Sequence, residues 1–421
     1  MNDGGKENPS PSAKAVFILW TPFHYFVLKN ISKNLPNSEF VIVPMWCFSE
    51  EKNADNLQKT IGLLQNDGAH WRVFTKINDQ SAVEKFFKQY DAIIATRLWS
   101  PLTKILYYGV FPEKKYVLVS YGAGKDLVTA SPWSSFFDAV ISEGEHTDNI
   151  YKTFVNSYAV GAPKFDDWFA GKLNEKNIAD LDKKLDPNKT TILYLPTHGP
   201  FSSIRYYAKP LAAMADKYNC LVKFHYLNDT VDARHVGILK SHKDILFFSE
   251  DEDILPLFSA ADIVMSDSSS AALEAILINK PLVILDTDFY SHRLKGNDET
   301  IWLSSLQYYQ NSIEQRIKNK GDLQVGPIVR NHSLLREGIE NAEKSHKEHE
   351  KNRTSLQKYL YFSADGKSGP RAAEVILAIM RSRKPSPPLA GLATRLYLRD
   401  RFIELRERKF NQQIFTRPDA N

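Results

Sequence analysis

The sequence predicts an α/β chain made of two doubly wound, parallel-sheet halves facing a cleft, with a helical extension at the C-terminal end. Three observations predict this. Apolar runs of strand length, "AVFILW", "FVIVPMW", "WRVFT", "AIIATR", "YVLVS", "AVISE" and "SYAVG", follow one another through the first half with room for helices between the more widely spaced ones. The rhythm restarts at Thr190 with "TTILYLP", "CLVKFHY", "DILFFSE", "ADIVMSD" and "PLVILD". At 421 residues and 43% hydrophobic, the chain exceeds one ordinary core.

The elements are justified in order. "AVFILW" is apolar on both faces, as a covered parallel strand must be, and "TPFHYFVLKNISKNL" opens a helix with Thr21 as N-cap and Pro22 at the first helical position. The stretch "VGAPKFDDWFAGKLNEKNIADLDKKLDPNKT" is charged and carries Gly, Pro and Asn, which suits a hinge and linker. In the second half "YAKPLAAMADKYN", "EDILPLFSA" and "SAALEAILIN" read as helices. Residues 330–360 read as a solvated surface helix or pair. After the proline-rich "RKPSPPLAG", residues 392–410 form a basic helix, for which two placements compete: across the N-terminal half, or on a membrane or partner. The expected division is a disordered tail (1–13), a first Rossmann-like domain (14–170), a linker (171–189), a second Rossmann-like domain (190–375) and a basic extension (376–421).

Composition narrows the function. From Arg381 onward ten Lys/Arg face four Asp/Glu, so the net charge of +4 comes from the tail and the body is slightly acidic. That pattern excludes a nucleic-acid-binding body and directs attention to an anionic surface as the tail's partner. With no long apolar span and no signal-peptide pattern in "MNDGGKENPSPSA", the chain is expected in the cytoplasm, with peripheral contact at the inner face of the plasma membrane through residues 392–410. Cys47 and Cys220 each sit in a strand-like run and read as buried free thiols.

Polar groups gather at strand ends, where ligands of such sheets bind. In "ADIVMSDSSSAALEAIL" a strand ends at Asp267, and Ser268, Ser269 and Ser270 occupy the mouth of a helix, where unpaired N–H groups and the dipole favour an anion such as phosphate. Glu274, two turns in, suits a ribose diol. The competing reading is a serine that only caps its helix. His198 follows the first strand of the second half and His225 the next, and histidines there can hydrogen-bond or protonate a leaving phosphate. Asp286, with Asp288, is as easily a loop acid near the acceptor. No Asp-x-Asp set follows an early strand, so no metal and no separate cofactor is expected.

In order along the chain, "TILYLPTHGP", "VKFHYLND", "LPLFSAADIVMSDSSSAALEAILINKPLVILDTDFY" and "YFSADGKSGPRAAEVIL" resemble the C-terminal half of the CDP-glycerol glycerophosphotransferase family, which makes teichoic-acid-type and capsule polymers. The resemblance covers about residues 117–380. It implies a GT-B fold, an acceptor domain (14–170) and a nucleotide-donor domain (190–375) facing a cleft, and a transferase that moves a glycosyl or polyol-phosphate group from a CDP-, CMP- or UDP-linked donor to a cell-surface polysaccharide, lipid-linked or teichoic-acid-like acceptor. By the same resemblance His225, Ser268, Ser269 and Ser270 would contact phosphates and Glu274 the ribose. Asp365, Gly366, Ser368 and Arg371 match a late motif that would close a helix crossing back over the cleft.

The first half departs from the family. Where the family has His-Gly-Thr, this chain has "VLVSYGAGKDL", with Tyr121 in place of the histidine commonly taken as the base and Gly122 and Gly124 keeping a loop open to close approach. With a reference pKa of about 10, tyrosine is a poor base near neutrality. His24, after the first strand, is the expected replacement, with His198 and Tyr121 as further catalytic candidates. A first-turn helix histidine is the competing reading of His24, and Asp126, Asp166 and Asp167 are weaker acids. Two alternatives stand beside the leading reading. One is a CMP-sugar (sialyl- or Kdo-type) transferase; the other is a UDP-sugar 2-epimerase, which would need an acidic loop where "WTPFHYF" and "SYGAGKD" stand.

Overall fold

Strands covered by helices on both faces bury every side chain, which is why the apolar runs carry so little alternation. The computed structural model describes residues 13–45, 48–77, 79–97, 113–124, 132–198, 202–225, 228, 232–267, 269–286, 324–383 and 385–398. Ser268, Cys47, Asp126 and Asp288 lie outside the described residues.

The first sheet holds seven parallel strands: β1 (Ala15–Leu19), β2 (Ser38–Ile42), β3 (Trp71–Val73), β4 (Ala92–Ala95), β5 (Lys115–Val119), β6 (Ala139–Ser142) and β7 (Asn156–Ala159). Their order is β3-β2-β1-β4-β5-β6-β7. The direction of winding therefore reverses between β1 and β4. Helices α1 (Pro22–Ser32), α2 (Glu50–Asn66), α3 (Gln80–Phe87) and α4 (Glu145–Tyr151) connect and flank the strands.

The stretch read as a linker is itself helical, with α5 (Asp166–Phe169) and α6 (Glu175–Asp182). It leads into a second parallel sheet of β8 (Thr191–Leu195), β9 (Asn219–Lys223), β10 (Ile245–Phe248), β11 (Ile263–Ser266), β12 (Leu282–Leu285) and β13 (Ile328–Val329). The order is β10-β9-β8-β11-β12-β13, with a reversal between β8 and β11. Helices α7 (Ile204–Ala212), α8 (Ala233–Lys240), α9 (Ile254–Ala260) and α10 (Ser270–Leu277) complete it. Strand β13, two residues long, has no counterpart in the sequence reading. Cys220 is a buried free thiol in β9, and burial pushes it up to about 12.

The charged stretch 330–360 departs from the expectation of a solvated surface. It forms α11 (Leu335–Glu340), α12 (Ala342–Glu348) and α13 (Glu350–Leu360), and Leu335, Ile339, Ala342, Leu356 and Leu360 are all buried. The apolar positions are few but lie on the inward face, so charge on the outer faces dominates the composition. Helix α13 packs on α4 of the first half and α10 of the second, and α14 (Ser368–Arg381) then crosses back to lie along α1. Ala372, Ala373, Ile376 and Ile379 of α14 enter the core of the first sheet.

The described part of the tail, helix α15 (389–398), lies against the first half. Arg395 donates to the carbonyls of Ser135 (2.7 Å) and Phe137 (3.1 Å), and a side chain at Gly391 would meet the carbonyl of Phe154. Among the described residues, no helix is long and apolar enough to cross a membrane.

Candidate active site at two sheet switch points

Ligands of open parallel sheets bind where the winding reverses, beyond the carboxyl ends of the strands. Here the reversals lie after β1 and β4 and after β8 and β11, and the candidate residues stand at those ends.

On the first sheet, Thr21 and His24 form the N-terminal cap of α1. The Thr21 N–H donates to His24 Nδ1 at 3.3 Å, and the Thr21 hydroxyl lies 3.0 Å from the same nitrogen. Burial, and then the positive Arg97, push the ring down to about 3. A neutral ring that accepts at Nδ1 carries its proton on Nε2. The side chain thus serves as a cap whose remaining nitrogen is a donor, an arrangement that suits the first-turn helix reading of His24 better than the base.

Tyr121 stands beside it, ring centroids 6.1 Å apart, with Phe23 edge-on at 5.1 Å. Arg97 Nε donates to the Tyr121 hydroxyl oxygen at 2.5 Å. Gly122 and Gly124 have φ of +85° and +81°, a region glycine adopts without strain, and turn the chain away from the strand end. At the end of β6, Glu143 is buried, and desolvation pushes its carboxyl up to about 7.

On the second sheet, the rings of His198 and His225 stack with centroids 4.1 Å apart and planes inclined by 21°. The loops that carry them are tied together. Asn228 accepts from the His225 N–H at 2.7 Å and donates to the Thr197 carbonyl at 2.9 Å. Asp267 accepts from Thr197 N–H (2.8 Å), Ser203 N–H (2.7 Å) and the Ser203 hydroxyl (2.7 Å). Its oxygens are thus taken up inside the protein, so Asp267 braces the β8 loop and is not a ligand-facing acid of the cleft. Lys223 Nζ holds the carbonyls of Ser249 and Glu252, and burial pushes it down to about 8.

The helix mouth combines both readings of its serines. Ser269 is the N-cap of α10, accepting from Ala271 N–H at 3.3 Å, and Ser270 is the first helical residue; both remain partly exposed. Glu274 is buried against the first half, paired at 2.7 Å with Lys164 from the segment between β7 and α5. Asp286 is half-buried and pairs with Arg330 at 3.1 Å.

Arg371 is fully committed elsewhere, which removes it from the cleft. Its guanidinium grips Asp365 through two bonds (2.8 and 2.9 Å) and donates from Nε to the Val160 carbonyl at 2.8 Å. That bidentate partner pulls Asp365 down to about 2. Asp166 accepts from Ser368 and Gly369 N–H, capping α14 from the other side of the chain, and Asp167 pairs with Lys29 at 2.9 Å. Sequence reasoning passed over Arg97, Glu143 and Lys164. The signal was present in "AIIATR" and "AVISE", where a charged residue closes an otherwise apolar strand.

Two parallel sheets whose switch points carry the polar groups of one cleft, with a C-terminal helix returning to the first sheet, define the GT-B fold. Solved structures bear this out. The wall teichoic acid polymerase TagF aligns with a TM-score of 0.59 at 13% identity, covering 87% of this chain and 89% of that one. HepE of Anabaena in complex with UDP-glucose aligns at 0.53 and 13% (87% and 99%), and UDP-GlcNAc 2-epimerase of Neisseria meningitidis bound to UDP-GlcNAc at 0.54 and 13% (87% and 99%). No curated protein sequence matches the chain. Within the fold class, the model of the CDP-Glycerol:Poly(glycerophosphate) glycerophosphotransferase family matches residues 126–300, which bears out the family resemblance carried by the strand-end motifs. The matched span begins just beyond Tyr121, so the chemistry of the first wall has to be argued from its own residues.

Proposed function

We propose that this chain is a GT-B transferase that moves a polyol-phosphate or glycosyl group from a nucleotide-activated donor to a hydroxyl of a teichoic-acid-like acceptor, with CDP-glycerol as the first donor to try. The observation that carries this reading is the stacked His198–His225 pair set across the β8–β11 switch point from the mouth of α10. In the proposed complex the donor's phosphates lie between the two imidazoles and the N-terminus of α10, with Ser269 and Ser270 adding hydroxyl donors. Such groups stabilise the charge that grows on the leaving nucleotide. Glu274, turned from Lys164, faces the ribose, and Asp286 lies at the edge nearer the acceptor.

On the first wall, Arg97, the Tyr121 hydroxyl and the His24 Nε2–H are donors. In the proposed transfer they orient acceptor and transferred group, supplying hydrogen bonds rather than removing a proton. The CDP-glycerol family match favours a phosphorus centre. A glycosyl donor is the second reading, favoured by the shared fold of HepE, whose structure holds UDP-glucose. Membrane contact through residues 392–410 belongs to the same reading, as the means of reaching a surface-bound acceptor.

A thermal-shift screen of CDP-glycerol, CDP-ribitol and CMP-, UDP- and GDP-sugars tests the donor. A ligand at 100 times its Kd stabilises by about 2.7 kcal/mol. One nucleotide class should raise the transition, and His225→Ala should weaken that ligand about 10- to 100-fold, the loss of one or two hydrogen bonds to a charged group. If no donor shifts the transition, the reading fails.

A further inference from the structure

Among the described residues, Glu143 is an acid sealed in the protein with no cation paired to it, and only the Ser120 and Thr147 hydroxyls and its own backbone N–H stand near its carboxyl, too poorly placed to satisfy it. A buried acid without a cation beside it is costly to keep, and such groups gather at functional sites. Its place in the fold is equally specific. The β5–β6 register pairs Val119 with Ile141, and the Ser120 N–H donates to the Ile141 carbonyl at 2.9 Å. Carried two residues further, that register sets Glu143 beside Tyr121, the position at which the resembled family has its histidine. The β4–β5 register, Ala95 with Leu118, sets Arg97 opposite Ser120, one residue before that row.

The groups around the carboxyl are few. Glu274 of α10 and Tyr361, which follows α13, face it from the second half; Ser120 and Thr147 stand beside it from the first. Lys164 is held by Glu274 at 2.7 Å. The other titratable groups of this sheet edge are unsuited to take a proton. His24 carries its proton on Nε2, and the Tyr121 oxygen already accepts from Arg97.

We propose that Glu143 takes the acceptor's hydroxyl proton in the transfer described above, the role that Tyr121 leaves open; the proposal rests on the transferase reading. The acceptor oxygen forms its bond to the transferred group as that group's bond to the nucleotide breaks. The electron pair of the broken bond leaves on the nucleotide phosphate, and the acceptor proton passes to a carboxylate oxygen of Glu143, which later releases it to solvent. The Lys164–Glu274 pair, whose carboxylate faces Glu143, holds the seam beside it closed, and Lys29–Asp253 (3.5 Å) and Lys52–Glu250 (2.5 Å) tie the two halves elsewhere. Parting of that seam as substrates enter is what exposes the carboxyl. In the closed protein burial holds it up at about 7, so that near neutrality part of it is already ionised when the seam parts.

The test uses the full chain, CDP-glycerol as donor and a short glycerol phosphate oligomer as acceptor, and reads CMP release from pH 5.5 to 9. Wild-type kcat/KM, which reports the free enzyme with the carboxyl sealed, should rise along an acidic limb with its midpoint near 7. Glu143→Gln should lose about 10²- to 10⁴-fold in kcat, the usual worth of a general base, while CDP-glycerol still raises its Tm as in wild type. Glu143→Asp should recover part of the rate. A Glu143→Gln enzyme within twofold of wild type, or one that keeps the acidic limb, overturns the proposal. So does a wild-type rate that is flat from pH 5.5 to 8, which needs no variant to fold. If the wild type neither binds CDP-glycerol nor releases CMP, the transferase reading has failed and the assignment falls with it.

Discussion

At the scale of single residues, burial decides which candidate keeps the role its residue type suggests. His24 looks like a base in sequence because it follows a strand; in the fold it is a cap, with Nδ1 committed to Thr21. Asp267 looks like a site acid and is a brace with three internal donors. Asp267→Ala should therefore cost about 2–4 kcal/mol of stability through the donors it orphans, seen as a lower urea midpoint in the absence of any ligand. Glu143 was missed because one charged letter at the end of an apolar run carries no sign of whether it will be sealed. Its pH dependence follows from linkage. With the folded carboxyl near 7 and the unfolded one near 4.5, the native state binds the proton more tightly. Its contribution is fully present below about pH 4.5 and is lost as pH rises through 7, by roughly 3 kcal/mol at most. Glu143→Gln, which keeps the neutral shape, should thus gain Tm over wild type at pH 8 and lose that advantage at pH 5, as followed by calorimetry.

At the scale of elements, the strands were legible because doubly covered parallel strands are continuous apolar runs. "AVFIL" and "TILYL" could hardly be anything else. Strand β13 escaped because two residues carry no periodicity, and α11–α13 looked solvated because few apolar positions suffice to anchor a charged helix. The convergence of His198 and His225 was only partly legible: their strand ends were readable, the stacking that brings them within 4.1 Å was not. The crossing of α14 over α1 depends on backbone approach. A Cβ at Gly369 would stand 2.4 Å from the Asn30 carbonyl oxygen. Gly369→Ala should cost about 1–3 kcal/mol, the usual penalty of overpacking, measured as a lowered Tm with secondary structure retained.

At the scale of the whole molecule, two sheets bring their switch points to one cleft, and the seam between them is held by charges. Lys164 and Glu274 are each about 12% exposed, so the pair is largely desolvated. Breaking one side of such a pair leaves an uncompensated charge, and Lys164→Met should destabilise by about 3–5 kcal/mol in denaturant melts. A cavity of about 720 Å³ also opens between α1, α6 and the loop after β10, but its Lys29 is paired with Asp167 and Asp253, and it holds none of the switch-point residues. The central claim is that the donor sits on the second sheet at the His198–His225 pair and the mouth of α10. Hydrogen exchange with and without CDP-glycerol tests it most directly. Protection confined to residues 196–198, 224–225 and 269–274, and abolished by His225→Ala, is the predicted result; protection elsewhere with these segments unchanged, or protection that survives His225→Ala, would contradict it.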